Sequence, residues 1–230
     1  MIPLHDDNPT TLKPLVTVSI IVAAVAVFLW QISLGEKGFE ASVFRYGLIP
    51  ALWLGDAHPQ GVATLPPTLT VFTSMFLHGG FMHLAGNMLY LWIFGNNVED
   101  AMGHGRFVLF YLLCGVAAAA AQAIPNPDST IPMIGASGAI SGVLGAYLLL
   151  YPHARVLVVI PLGFYFHQAR LPAIAVLGFW IVLQLINSAL ADPRQGGVAW
   201  GAHIGGFVAG MVLIPLFKHR SVRLWAPRRY

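Results

Sequence analysis

From residue 15 to about 33 the sequence carries no charged side chain, for roughly the 20 residues that a helix needs to cross a bilayer. Five further apolar stretches follow, at about 81–96, 106–123, 137–151, 172–189 and 200–217. Composition agrees: only 9% of the 230 residues are charged, where a soluble domain carries about 25%. The chain reads as an all-α membrane protein, a bundle of six transmembrane helices over residues 15–217. A polar lead, 1–14, resembles a short disordered segment, and a basic tail, 218–230, closes the chain.

The connections differ in character. Residues 34–77 mix charges with Phe39, Phe44, Tyr46, Trp53 and Leu54. A structureless loop of that length is unusual, so this stretch is expected to be a partly folded element in the membrane interface. Asn96-Asn97-Val98-Glu99-Asp100 reads as a polar turn, residues 155–170 as an interfacial loop, and residues 192–197 as a flexible connection. Pro152 is placed to stop the fourth span, and Pro172 to sit in the first turn of the fifth. No solenoid repeat and no small-residue cleavage site after the first apolar run are evident.

Six spans put both termini on one side of the membrane. The lead, second loop, fourth loop and tail carry nine of the 12 Lys and Arg, so both termini are expected to be cytoplasmic. The same clustering argues against nucleic acid as the reason for the net charge of +3. A single cysteine, Cys114, excludes an intramolecular disulfide. With that orientation, Ser137 at the start of the fourth span lies towards the non-cytoplasmic face.

Polar side chains inside apolar spans are costly and count as functional candidates. Ser137 sits in Gly135-Ala136-Ser137-Gly138, where a Pro-rich loop enters an apolar helix. Flanking glycines permit a tight turn, and unpaired N–H groups at a helix start face a developing negative charge well. His83 and Asn87, four apart, share one face of the second span, and His203 lies near the start of the sixth. All nine acidic residues are placed in loops or the lead, so no carboxylate is expected at depth. A zinc site from His78, His83 and His203 is conceivable, although no carboxylate base is near. A solute pathway and a plain packing seam are the other readings of such residues. Taken together, a serine, a histidine on another span and a donor pair on a third fit nucleophilic catalysis best.

His78-Gly-Gly-Phe-Met-His83-Leu-Ala-Gly-Asn87 reproduces the HxxxxHxxxN pattern of rhomboid intramembrane serine proteases. Gly135-Ala136-Ser137-Gly138 resembles their GxSG nucleophile motif, and Gly201-Ala202-His203-Ile204-Gly205-Gly206 their sixth-helix histidine segment. The resemblance, to the bacterial-type six-span core, implies Ser137 as nucleophile and His203 as general base and then acid. It implies Asn87, His83 and the Ser137 N–H as oxyanion donors, with His78, Gly135 and Gly138 in support. It further implies single-span membrane proteins as substrates, no cofactor, and residence in a bacterial plasma membrane. The first loop would be a lateral membrane-embedded element, and the fifth span with its following loop a substrate gate. One departure is the first loop itself, where Phe44-Arg45-Tyr46 stands nearest to the family's Trp-Arg pair. A catalytically inactive relative that only binds membrane proteins is the main alternative.

A Ser–His pair without a carboxylate keeps general-base catalysis but loses the group that orients the imidazole, so turnover should be slow. Water must reach the site, and a helical substrate must unwind locally to present a carbonyl. Small residues at four-residue spacing in spans four and six predict that these two helices are neighbours, meeting near Gly142 and Gly206.

Overall fold

The computed structural model describes residues 1–55, 65–192 and 196–225. The middle of the long first connection, the centre of the 192–197 connection and the last five residues of the basic tail lie outside the described residues. The chain runs β1 (Ile2–Asp6), α1 (Leu15–Ser33), α2 (Gly35–Tyr46), α3 (Pro50–Trp53), α4 (Pro67–Thr73), α5 (Phe81–Met102), α6 (His104–Ala123) and α7 (Ser137–Leu150). It continues through β2 (Arg155–Leu162), β3 (Tyr165–Pro172), α8 (Ala173–Leu190) and α9 (Trp200–Phe217). Among the described residues four helices, α1, α6, α8 and α9, are long and apolar enough to cross a membrane; α7 is a shorter apolar helix of 14 residues. As expected, the long first connection is partly folded, holding α2, α3 and α4.

The protein is mostly helical but not all-α. An antiparallel sheet of order β1-β2-β3 replaces the loop expected at 155–170. Its cause is local. Arg155-Val156-Leu157-Val158-Val159-Ile160 is rich in β-branched residues, and Val156 and Val158 alternate into the core. Leu162 pairs with Tyr165 across a two-residue turn whose first member, Gly163, has φ +63°, a conformation that favours glycine. Pro172, expected inside the first turn of α8, is instead the residue just before it, in extended conformation.

The lead is ordered, against expectation. β1 pairs with β2; Asp6 at its end and Asn8 just beyond it are buried against α5 and α7. Asp6 accepts hydrogen bonds from the Tyr147 hydroxyl (2.6 Å) and from Asn97 (3.0 Å), and the Asn8 amide donates to Asn97. Asp100 accepts from the Thr11 hydroxyl (2.8 Å) and the Leu12 N–H (2.7 Å).

These contacts also correct the turn expected at 96–100. The polar residues there do not end α5; they belong to its last turns and anchor the N-terminal segment. Glu99, fully buried, accepts from the N–H groups of Val16 (2.9 Å) and Thr17 (2.8 Å) and from the Thr17 hydroxyl (2.6 Å). The residue before α1 is Pro14, which offers no side-chain cap. A carboxylate from another helix therefore caps α1, with the favourable sign for a helix N-terminus. It also overturns the expectation that every acidic residue lies in a loop or the lead; Glu36 and Glu40 lie in α2 as well. Glu99→Gln should place an NH₂ group against N–H donors and lower stability by about 2 kcal/mol, read as a fall in the thermal unfolding midpoint in detergent.

α7 is buried along most of its length and packs on α9, α6 and α5. The predicted adjacency of spans four and six is present as α7 against α9. A Cβ added at Gly206 would lie 2.0 Å from the Gly138 carbonyl oxygen, and one at Gly210 1.9 Å from that of Gly142. α8 is held more lightly, with Ala173, Val176, Leu177 and Gln184 its buried residues. The tail meets the far ends of the helices: the Trp225 N–H donates to Leu149 (2.8 Å) and the His219 N–H to Ala101 (2.8 Å). Lead, tail and hairpin therefore gather at one end of the bundle, and Ser137 lies at the opposite end of α7.

Candidate active site

The loop entering α7 is shaped by Gly135. Its φ of +123° favours glycine, and its N–H donates to the Ser74 carbonyl at 2.9 Å. A Cβ there would sit 2.8 Å from His83 Nε2 and 3.7 Å from Ser137 Oγ. The bare backbone is what lets the loop pass between these two side chains. Ser137 is the first residue of α7, so its N–H belongs to the unpaired first turn. A Cβ at Gly138 would press on the Ala118 Cβ at 2.7 Å, with Ala202 at 3.8 Å, which brings the start of α7 onto α6 and α9.

His83 lies in the first turn of α5 and Asn87 one turn later on the same face. The Gly79 N–H donates to His83 Nδ1 at 3.3 Å, so the ring proton resides on Nε2, the nitrogen facing the Gly135 turn. Asn87 is buried, and its Nδ2 has no hydrogen-bond partner among the described residues. A buried amide donor without a partner is costly unless something transient uses it.

His203 lies in the first turn of α9. Its Nδ1 is 2.8 Å from Gln184 Oε1 of α8, and its ring sits near those of Trp180 (5.9 Å) and Trp200 (6.1 Å). One cavity of about 1520 Å³ is lined by Ser137, His203, His83 and Asn87 together. The expected site residues of α5, α7 and α9 thus line one cavity.

His78 stands apart. It precedes α5, is fully buried, and bonds the Phe76 carbonyl through Nδ1 (3.2 Å) while its N–H donates to Gln31 Oε1 (3.1 Å). Burial, and then the neighbouring His83, hold its imidazole down to about 4, so it is neutral at physiological pH. Its ring meets His83 edge to face at 5.1 Å, which makes it a support for that ring. No three His, Cys, Asp or Glu side chains among the described residues gather into a metal-ligand set.

The family model for the rhomboid domain matches residues 67–220, a span that contains His78, His83, Asn87, Ser137, Gln184 and His203. The chain belongs to the rhomboid family. Rhomboid relatives include the mitochondrial Rhomboid protein 1 of Saccharomyces cerevisiae, 32% identical over 84% of this chain and 56% of that protein. Rhomboid protease GluP of Bacillus subtilis is 36% identical over 55% of this chain and 27% of its own length. RHOMBOID-like protein 5 of Arabidopsis thaliana is 31% identical over 62% of this chain and 42% of its own length. The chain spans from about a quarter to about half the length of these relatives. Rhomboid membership together with the apolar helices makes this an integral membrane protein. It does not single out a bacterial membrane, since one relative carries a mitochondrial name.

Three glutamines escaped the sequence reading: Gln184 beside His203, Gln31 beneath His78, and Gln122, whose Oε1 accepts from the Ala202 N–H at 3.1 Å. Each is an amide in a predominantly apolar helix. That is the same signal, in uncharged form, that singled out His203.

Proposed function

We propose that the chain is an intramembrane serine endopeptidase that cleaves single-span membrane proteins in or near their membrane segments. The observation that carries this is the shared cavity: Ser137, His203, His83 and Asn87 line it from three helices, and Asn87 Nδ2 has no hydrogen-bond partner among the described residues. In this reading α1, α5, α6, α7, α8 and α9 all cross the bilayer, with both termini cytoplasmic. The 14 residues of α7 span about 21 Å, less than the hydrocarbon thickness of about 30 Å. Ser137 then lies below the membrane surface, and its non-helical approach is tolerable because it lines a wet cavity.

The chemistry runs in two halves. Ser137 Oγ attacks the scissile carbonyl carbon while His203 takes its proton. The carbonyl oxygen gains the negative charge, and the Ser137 N–H, His83 Nε2–H and Asn87 Nδ2–H are the donors for it. As the C–N bond breaks, His203 returns the proton to the leaving amine and an acyl-serine ester remains. Water, deprotonated by His203, then attacks that ester and Ser137 leaves with the proton. Labelling of Ser137 by a fluorophosphonate tests the nucleophile; wild-type protein without label in its folded state would refute the reading.

The donor assignment gives its own expected result. Asn87→Ala and His83→Ala should each lower turnover by about 10²–10³-fold while leaving Ser137 able to take label more slowly. His78→Ala should act less directly, through the His83 ring. Equal and complete loss of labelling in all three would show a folding role or a shared metal instead.

A further inference from the structure

We infer that Gln184 is a positioning residue for His203, holding the imidazole in the tautomer that leaves Nε2 free to take the serine proton. This rests on the protease reading above. The bonding pattern leaves little freedom. Gln184 Nε2 donates to the Trp180 carbonyl at 3.1 Å, and a carbonyl only accepts. The amide is therefore oriented with Oε1 towards His203, 2.8 Å from Nδ1. An amide oxygen also only accepts, so the ring proton must lie on Nδ1, and Nε2 carries the lone pair.

His83 is held in the opposite sense, with its proton on Nε2 by the Gly79 N–H. Two histidines lining one cavity are thus set for opposite tasks, one to donate and one to accept. Gln184 itself is buried, at 6% exposure, and is the buried residue in the second half of an otherwise lightly packed helix. Its side chain reaches no lipid-facing role; its oxygen is spent on His203. In proteases with a carboxylate third member, that group selects the tautomer and also stabilises the imidazolium. A neutral amide supplies the first of these and little of the second.

The first test is spectroscopic and independent of turnover. In wild-type and Ser137→Ala protein labelled with ¹⁵N-histidine, the His203 signal, assigned by its loss in His203→Ala, should show a protonated Nδ1 and a bare Nε2. A protonated Nε2 in protein that still takes the fluorophosphonate label would overturn the role of Gln184 and leave the protease reading standing. Absence of label in folded wild type would remove both.

The second test is kinetic. Gln184→Leu should lower kcat by about 10-fold to 10²-fold with KM little changed, because general-base help is lost while substrate contacts remain. It should also move the acid limb of kcat to lower pH, since the protonated ring loses an acceptor. Gln184→Glu restores an acceptor and adds a negative charge beside the ring, which favours the protonated form. Its kcat at alkaline pH should return to within a few-fold of wild type, and its acid limb should move to higher pH. The other titratable side chains lining the cavity, His83, Tyr90 and Asp192, are the same in both variants. A residue that merely packed would give limbs that stay put or move together, and that outcome would overturn the proposal. Should Gln184→Leu fail to fold, the Glu variant and the tautomer measurement each decide the question alone.

Discussion

Ser137→Ala and His203→Ala should each reduce cleavage of a single-span model substrate by at least about 10⁴-fold, with both purified proteins still folded. The magnitude follows from what each removes. Without Ser137 no acyl intermediate forms, and water alone must attack an amide in a cavity shaped for a serine oxygen. Without His203 the serine keeps its proton at the moment of attack, and the leaving amine receives none. The double variant should be no slower than either single one, because a nucleophile without its base is already idle. Ser137 lies in the first turn of α7, and its loss should leave the unfolding midpoint close to wild type; His203→Ala leaves the buried Gln184 Oε1 without its partner and should lower stability by about 1–3 kcal/mol. Residual cleavage in Ser137→Ala that a chelator abolishes would point to metal chemistry and refute the dyad.

The candidate site was legible in the sequence because its members are polar residues in apolar surroundings. Ser137, His83, Asn87 and His203 are each polar within or at the start of an apolar run, and two of them share a helix face at a spacing of four. The apolar stretches gave α1, α6 and α9 to within a residue or two, since a run long enough to cross a bilayer has few alternatives. What was not legible depends on partners distant in the chain. Glu99 and Asn97 resemble a polar turn until Thr17 and Asn8, more than 80 residues earlier, are seen to bond them. Those bonds offset much of the cost of burying a polar helix end. β1 has no apolar alternation of its own to announce it, and its pairing with Val156–Val159 comes from across the chain. Gln184 was passed over for a chemical reason: a neutral amide can be satisfied by its own helix, and only the 2.8 Å contact to His203 distinguishes it.

Adding a single methyl group at Gly206 or Gly210 should be enough to damage both stability and turnover. At Gly206 the new Cβ would lie 2.0 Å from the Gly138 carbonyl oxygen, and at Gly210 it would lie 1.9 Å from that of Gly142. Both obstacles are backbone, so no side-chain rotation relieves them, and α9 must move away from α7. Helices in lipid are held by close packing and not by a hydrophobic drive, so the lost contact is not replaced. Stability should fall by about 1–3 kcal/mol for each variant. Gly206 follows His203 by three residues and its obstacle, Gly138, follows Ser137 directly. A displacement of about 1 Å at this crossing therefore reaches both reacting side chains and should cost about 10²-fold in rate. Gly210, one turn further from the chemistry, should lose comparable stability but less rate. Gly178 of α8 supplies the control: nothing lies within 4 Å of a Cβ there, and Gly178→Ala should leave the unfolding midpoint unchanged or slightly raised, as alanine favours helix by up to about 1 kcal/mol. Wild-type stability and turnover in Gly206→Ala would mean that α7 and α9 do not approach as closely as described, and the spacing of small residues would then need another cause.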